Sequence, residues 1–268
     1  MIDAEEYLKV PDCKLCKGNG SYLVRILTAE QSDEYGVEIG GAIQAKCGEC
    51  RRQKIRRKTF LDHKNFQKQL MLFEMSDYEI PDNLSNEKIL PTRAAVEKIS
   101  TMLKDLETSL YGFGGFVLLM GPTCTGKSIV GHILARESYA IGRYAQLISI
   151  HDLVIDLSYL RSGTVAKNED GEIVFDLADY IKPDLLIVDH FDDINQFFNR
   201  SDLRRALLLK IFSERLKQEK PTVIISKVNI TDMFSSTVRE VSAIPYDFPV
   251  IINKKFIKLE LYGKFKKR

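Results

Sequence analysis

The sequence predicts an α/β fold, a parallel sheet flanked by helices, preceded by a small zinc-ribbon-like domain. Three observations carry that expectation. The apolar run Phe116-Val117-Leu118-Leu119-Met120 leads directly into Gly121-Pro122-Thr123-Cys124-Thr125-Gly126-Lys127-Ser128, a phosphate-loop pattern standing between a strand and a helix. A second buried run, Leu185-Leu186-Ile187-Val188, ends in Asp189. Two Cys-x-x-Cys knuckles, Cys13/Cys16 and Cys47/Cys50, precede both.

Taken in order, the knuckles come first. Each tight turn presents two sulfurs on one side, and a hairpin made from the runs at 21–26 and 40–45 brings the second pair opposite the first. Four thiolates make a closed tetrahedral Zn2+ shell with no open position, hence a structural metal. The chain has five cysteines, and in a reducing compartment such spaced pairs are metal ligands rather than disulfides. Cys124 is left over, a small loop residue. Arg51 to Lys58 holds six bases in eight residues, either a solvated face or a phosphate-binding strip. Phe60, Phe66, Leu70, Leu72, Phe73 and Met75 suit an amphipathic helix over 60–75. Pro81, Asn83, Ser85 and Asn86 give 76–91 the turn chemistry of a linker. The expected organisation is a zinc module at 1–60, helix and linker at 61–91, and an ATP-binding domain at 92–268.

In that domain, Ala95, Val96, Ile99, Met102, Leu103, Leu106 and Leu110 recur at helical spacing from Thr92 and stop before Gly112. The phosphate-loop strand follows. In the loop the glycines let backbone N–H groups point inward, and the helix starting at Lys127 adds its positive end, so residues Gly121 to Ser128 and Ile129 form an anion cradle. Lys127 should reach the β- and γ-phosphates of ATP, and Ser128 should ligate Mg2+. Helix 129–141, strand 145–150 and helix 151–161 come next, then a polar loop at 162–171. An amphipathic stretch at 173–181 precedes Pro183 and the strand ending in Asp189, the second magnesium-side residue. Ser201 caps a helix reaching Lys220, Thr222 to Ser226 is a strand, and a fifth strand falls within 249–261.

Charge and hydropathy narrow the setting. Lys plus Arg number 39 against 37 Asp plus Glu, so nucleic-acid binding must come from local patches, at 51–58 and 254–268, and not from net charge. The acidic start Met1-Ile2-Asp3-Ala4-Glu5-Glu6 is unlike a signal peptide, and no apolar run approaches the eighteen or so residues of a membrane span. A cytoplasmic protein is expected.

The phosphate loop, the strand ending in Asp189, the strand Thr222 to Ser226, and Cys13-Lys14-Leu15-Cys16-Lys17-Gly18-Asn19-Gly20 with Cys47-Gly48-Glu49-Cys50 together resemble the DnaC/DnaI type of bacterial helicase loader. The ATPase part is also similar to IstB-type transposition helpers. The resemblance implies an AAA+ domain that binds ATP and single-stranded DNA, a hexameric replicative helicase as partner, and assembly with further copies of the chain. It also marks departures. The family's Glu after the Walker B Asp, which orients the attacking water, is His190. The sensor position at the end of the fourth strand, usually Asn, is Lys227, with Asn229 two residues on. Of two expected arginines beyond it only Arg239 fits, with Ser242 in the other place. Asp192 and Asp193 follow closely and could substitute for the missing Glu, although a solvated turn is the plainer account of both. The resemblance therefore implies nucleotide binding with weak or absent hydrolysis. The alternatives are a transposition helper and a non-hydrolysing scaffold.

Overall fold

The computed structural model describes residues 21–26, 42–46, 73–158, 160, 165–167, 173–194, 202–228 and 255–266. The four knuckle cysteines, the basic run 51–58, residues 60–72, Ser201, Asn229, Arg239 and Ser242 lie outside them. Strands β1 (Ser21–Ile26) and β2 (Ala42–Lys46) pair antiparallel, as the hairpin between the knuckles requires.

The central sheet has five strands: β4 (Phe116–Met120), β5 (Ala145–Ser149), β8 (Leu185–Asp189), β9 (Thr222–Ser226) and β10 (Phe256–Glu260). Their order is β10-β4-β9-β8-β5 and every pair is parallel. Helices cover both faces, so β4, β8 and β9 are buried along their whole length and read as unbroken apolar runs. Alternation then divides each strand between two cores. Phe116, Leu118, Leu186, Val188 and Ile224 face α3 (Ile150–Ser158), α4 (Ala178–Ile181) and α5 (Asp202–Lys217). Val117, Leu119, Ile187, Val223 and Ile225 face α1 (Asn86–Lys104) and α2 (Lys127–Ala140). Each fully buried Val, Leu, Ile or Phe contributes about 1.5–3 kcal/mol.

Four local expectations change. The stretch 76–91 is not a bare linker. A 3-10 turn (Met75–Asp77) and β3 (Tyr78–Glu79) occupy its start, and β3 pairs with β11 (Lys264–Phe265). Phe73 and Glu74 precede that turn in non-helical backbone, so the helix expected over 60–75 does not reach its last residues. Helix α1 begins at Asn86 and contains Pro91. Ser85 and Asn86, read as turn residues, instead start this helix, a position the same side chains favour: Lys88 and Ile89 N–H donate to the Ser85 carbonyl. Pro91 forgoes one backbone bond, while Thr92 Oγ1 donates to the Lys88 carbonyl at 2.7 Å, and burial of Thr92, Ala95, Ile99 and Met102 holds the helix in place. Finally, the loop at 162–171 and the amphipathic stretch at 173–181 contain a hairpin, β6 (Val165–Lys167) with β7 (Ile173–Asp176), followed by the one-turn α4.

Candidate nucleotide-binding site

The loop between β4 and α2 is built from backbone conformations that side chains resist. Gly121 has φ 145° and Gly126 φ 81°. A Cβ at Gly121 would stand 1.9 Å from the Leu261 carbonyl oxygen, and one at Gly126 2.5 Å from the Phe265 ring. The chain from Leu261 to Phe265 thus straps the back of the loop. Phe265 packs edge-on against Tyr78 (5.1 Å between centroids) and Phe73 (5.4 Å). Gly263 N–H donates to the Tyr78 hydroxyl at 2.8 Å, and Tyr262 N–H to Thr92 Oγ1 at 3.3 Å. Nothing in the local sequence of 261–266 signalled this strap, because its contacts lie 170 and 185 residues away.

Lys127 sits at the base of the loop, 8% exposed. Its ammonium donates to the Gly121 and Pro122 carbonyls, both at 2.6 Å, and to Thr125 Oγ1 at 3.3 Å. Burial lowers its pKa, with Asp189 and Asp192 opposing that shift and Lys227 reinforcing it. The first N–H groups of α2 have no intrahelical acceptor by construction, and Gly126 supplies no side-chain cap. His132, one turn into α2, is buried, and its Nδ1 donates to the Ser128 carbonyl at 2.7 Å. A carbonyl can only accept, which fixes the proton on Nδ1.

Asp189 closes β8 and is buried. His190 follows at φ 57°, in the left-handed region. Its N–H donates to Asp189 Oδ1 at 2.7 Å and its Nδ1 lies 3.6 Å from the same oxygen, with the ring more than half exposed. Asp192 is not a solvated turn residue. Its side chain is 11% exposed, Oδ1 accepts the Lys227 N–H at 3.0 Å, and Oδ2 pairs with Lys227 Nζ at 3.1 Å.

Thr123, Cys124, Lys127, Ser128, Asp189, His190, Asp192 and Lys227 line one cleft of about 110 Å³ with Ile225 and Ser226. It lies at the carboxyl ends of β4, β8 and β9, where parallel α/β sheets bind ligands. Gly121, Pro122, Thr125 and Gly126 form the loop behind it. The side chain of Ile129 packs against the α1–α2 core, and the residue is not among those lining the cleft. Sequence reasoning missed Ser226 at the cleft, and read Asp192 only as a substitute for the missing Glu because its contact with Lys227 joins residues 35 apart in the chain. A loop with no room for a Cβ at Gly121 or Gly126, a buried ammonium, and a Ser hydroxyl lining the same cleft as a buried carboxylate are groups suited to phosphate and Mg2+. Among the described residues no group of three or more His, Cys, Asp or Glu forms a metal site.

The C-terminal bases are partly neutralised. Lys255 lies 3.8 Å from Glu219, Lys258 2.7 Å from Glu260 and Lys266 2.8 Å from Glu79, while Lys254, Lys267 and Arg268 lie outside the described residues. Among the described residues no helix is long and apolar enough to cross a membrane.

Residues 94–239 match the family of IstB-like ATP binding proteins. No curated protein sequence matches the chain. Among solved structures it is similar to a primosome component from Streptococcus pyogenes serotype M3, at 16% identity over 75% of this chain and 92% of that one, with a TM-score of 0.53. The DnaC helicase loader matches at 15% identity over 73% of this chain and 100% of that one, with a TM-score of 0.51. AMPPCP-bound DnaA from Aquifex aeolicus matches at 16% identity over 70% and 50%, with a TM-score of 0.49. The chain spans about half the length of the replication-initiation structures that it matches. At these identities the shared property is the fold, an AAA+ P-loop sheet flanked by helices. The sequence match covers more than half of the chain and contains the whole phosphate loop and Asp189, and the protein belongs to the family of IstB-like ATP binding proteins.

Proposed function

We propose that this protein is a nucleotide-dependent helicase loader that binds ATP with magnesium and acts with a hexameric replicative helicase on single-stranded DNA. The observation that carries this reading is the convergence of Lys127, Ser128 and Asp189 on one cleft. Lys127, exchanging the Gly121 and Pro122 carbonyls and Thr125 Oγ1 that now take its three donors, would contact the β- and γ-phosphates, and Ser128 and Asp189 would hold the metal. Bound there, magnesium supplies charge neutralisation to the phosphates. The fold shared with the DnaC helicase loader supports the replication side. In this reading Cys13, Cys16, Cys47 and Cys50 hold one structural zinc, Arg51 to Lys58 contacts DNA phosphates, Arg239 reaches the nucleotide of a neighbouring copy, and the protein works in the cytoplasm. With His190 in the place of a water-orienting carboxylate, turnover is slow. The family match favours a second reading, an ATPase that assists a transposase.

Titration with ATP and magnesium tests the site. Lys127→Ala should weaken binding at least about tenfold, the scale of one lost hydrogen bond to a charged group. Equal affinities in the wild type and the variant would refute the assignment of Lys127. Affinity capture from the native host then separates the partners: recovery of a replicative helicase supports the first reading, recovery of a transposase the second.

A further inference from the structure

The phosphate loop has two supports, and a bound nucleotide takes one of them away. The first is internal. Lys127 Nζ gathers the Gly121 and Pro122 carbonyls and Thr125 Oγ1, and Thr125 Oγ1 donates to the Pro122 carbonyl at 2.9 Å. An ammonium has only three donors, so a lysine that turns to phosphate gives up its hold on the loop. The shape left behind is a demanding one. Gly121, Cys124 and Gly126 all have positive φ, and Cys124, at 64°, carries a side chain in the left-handed region, which L-residues resist.

The second support is external. Leu261 N–H donates to the Met120 carbonyl at 2.7 Å and the Leu261 carbonyl stands against Gly121, so the strap holds the start of the loop. The buried Phe265 ring stands against Gly126 and holds its end. Residues 73–79 brace the strap in turn: Tyr78 and Phe73 meet the Phe265 ring edge-on, the Tyr78 hydroxyl accepts the Gly263 N–H, and the Asp77 carbonyl accepts the Lys266 N–H at 3.0 Å. Arg136 of α2 donates from Nη1 to the Phe73 carbonyl at 2.9 Å. Loop, strap, residues 73–79 and α2 therefore form a closed ring of contacts that does not pass through Lys127. None of residues 261–266 lines the cleft, so the strap acts on the loop and not on the ligand.

We propose that Phe265 is a positioning residue: braced by Tyr78, it keeps the phosphate loop in its anion-binding shape once Lys127 has turned to phosphate. The proposal rests on the nucleotide reading above. The loop serves di- and triphosphate alike, so loosening the strap weakens both equally. Apparent affinity falls by the fraction of molecules whose loop stays competent.

The test uses the full chain, with affinities for AMPPNP and ADP measured by calorimetry in magnesium on variants that urea unfolding shows to be fully folded. Phe265→Ala should weaken both nucleotides by the same factor, about tenfold if a tenth of the molecules keep the competent loop. Tyr78→Phe keeps the ring and removes the acceptor of the Gly263 N–H, and should weaken both by a smaller common factor. Coupling is reciprocal: in the wild type, AMPPNP should slow hydrogen exchange by local opening at the Gly263 and Lys266 amides, which a merely structural strap would not show. Should Phe265→Ala not fold, Tyr78→Phe and the exchange measurement decide. Wild-type affinities in the folded variants, a loss confined to one nucleotide, or local exchange at those amides that ignores AMPPNP would overturn the proposal and leave the nucleotide reading standing. A wild-type protein that binds neither nucleotide overturns that reading itself.

Discussion

The two ends of β8 and β9 each hold a buried cation, and they treat it in opposite ways. At the amino ends lies Arg215, with 0% exposure. Its guanidinium donates to the carbonyls of Tyr180 (3.2 Å), Ile181 (3.3 Å), Pro183 (2.8 Å) and Pro221 (2.6 Å), and its Nε to Thr222 Oγ1 at 2.9 Å. Burial draws its pKa down to about 9, which leaves it charged at neutral pH. At the carboxyl ends Lys127 gives its three donors to the Gly121 and Pro122 carbonyls and Thr125 Oγ1 and Lys227 pairs with Asp192, but unlike Arg215 both line a cleft. A cation surrounded by carbonyls in several directions is a fastener, since nothing else can approach it. One that meets protein oxygen on one side and a cleft on the other is available to an anion. The same pair of strands is thus clamped at one end and kept receptive at the other.

The largest effect should come from breaking the clamp. Arg215→Ala leaves several carbonyls without their donor, at roughly 1–3 kcal/mol each where water does not replace it, so a loss of about 3–5 kcal/mol is expected. Urea unfolding measures it. Nucleotide affinity in the folded fraction should hold steady, since Arg215 touches neither the loop nor Asp189. A variant that unfolds at the wild-type midpoint, or that stays folded and loses nucleotide, would remove the contrast between the two ends.

The receptive end is sharpened by His190→Glu. A well-placed general base contributes typically about 10²–10⁴-fold, so steady-state ATP hydrolysis should rise by about 10²-fold. The left-handed backbone at position 190, φ 57°, suits Glu less well than Gly or Asn and keeps the expected gain at the lower bound. Unfolding should barely change. If the wild type already turns over briskly and His190→Ala abolishes it, His190 is itself the base and the slow-turnover reading falls.

The smallest effect is a pH dependence. Burial lowers the His132 pKa, against the raising influence of its Ser128 hydrogen bond and of Asp189. The unfolded chain, with an ordinary value of about 6.5, therefore takes up a proton where the folded chain does not. The contribution of His132 to stability is complete above about pH 6.5 and falls as the pH drops below it, by up to about 0.7 kcal/mol between pH 7 and pH 6 for one proton. His132→Gln, which retains an N–H for the Ser128 carbonyl, should flatten that part of the pH profile. An unchanged profile would mean that His132 protonates as readily in the fold as outside it.

The sequence alone determined the sheet strands and the loop, because those signals are local. A fully buried parallel strand is an uninterrupted apolar run, and a phosphate loop is defined by glycines and a Lys-Ser pair at fixed offsets, so Phe116 to Ser128, the run to Asp189 and Thr222 to Ser226 could each be read within a few residues. The resemblance placed Lys227 at the end of its strand for the same reason. What only the tertiary structure decided depends on partners distant in sequence. Ser85 and Asn86 offer identical chemistry to a turn and to a helix start, and burial of the face carrying Thr92 to Met102 chose the helix over Pro91. The strap from Leu261 to Phe265 exists through Tyr78 and Thr92, Arg215 became a fastener only when carbonyls from Tyr180 to Pro221 gathered around it, and Asp192, a turn acid by its local sequence, found its partner in a lysine 35 residues further on. Chain connectivity encodes periodicity, whereas satisfaction of a buried charge is a property of where segments meet.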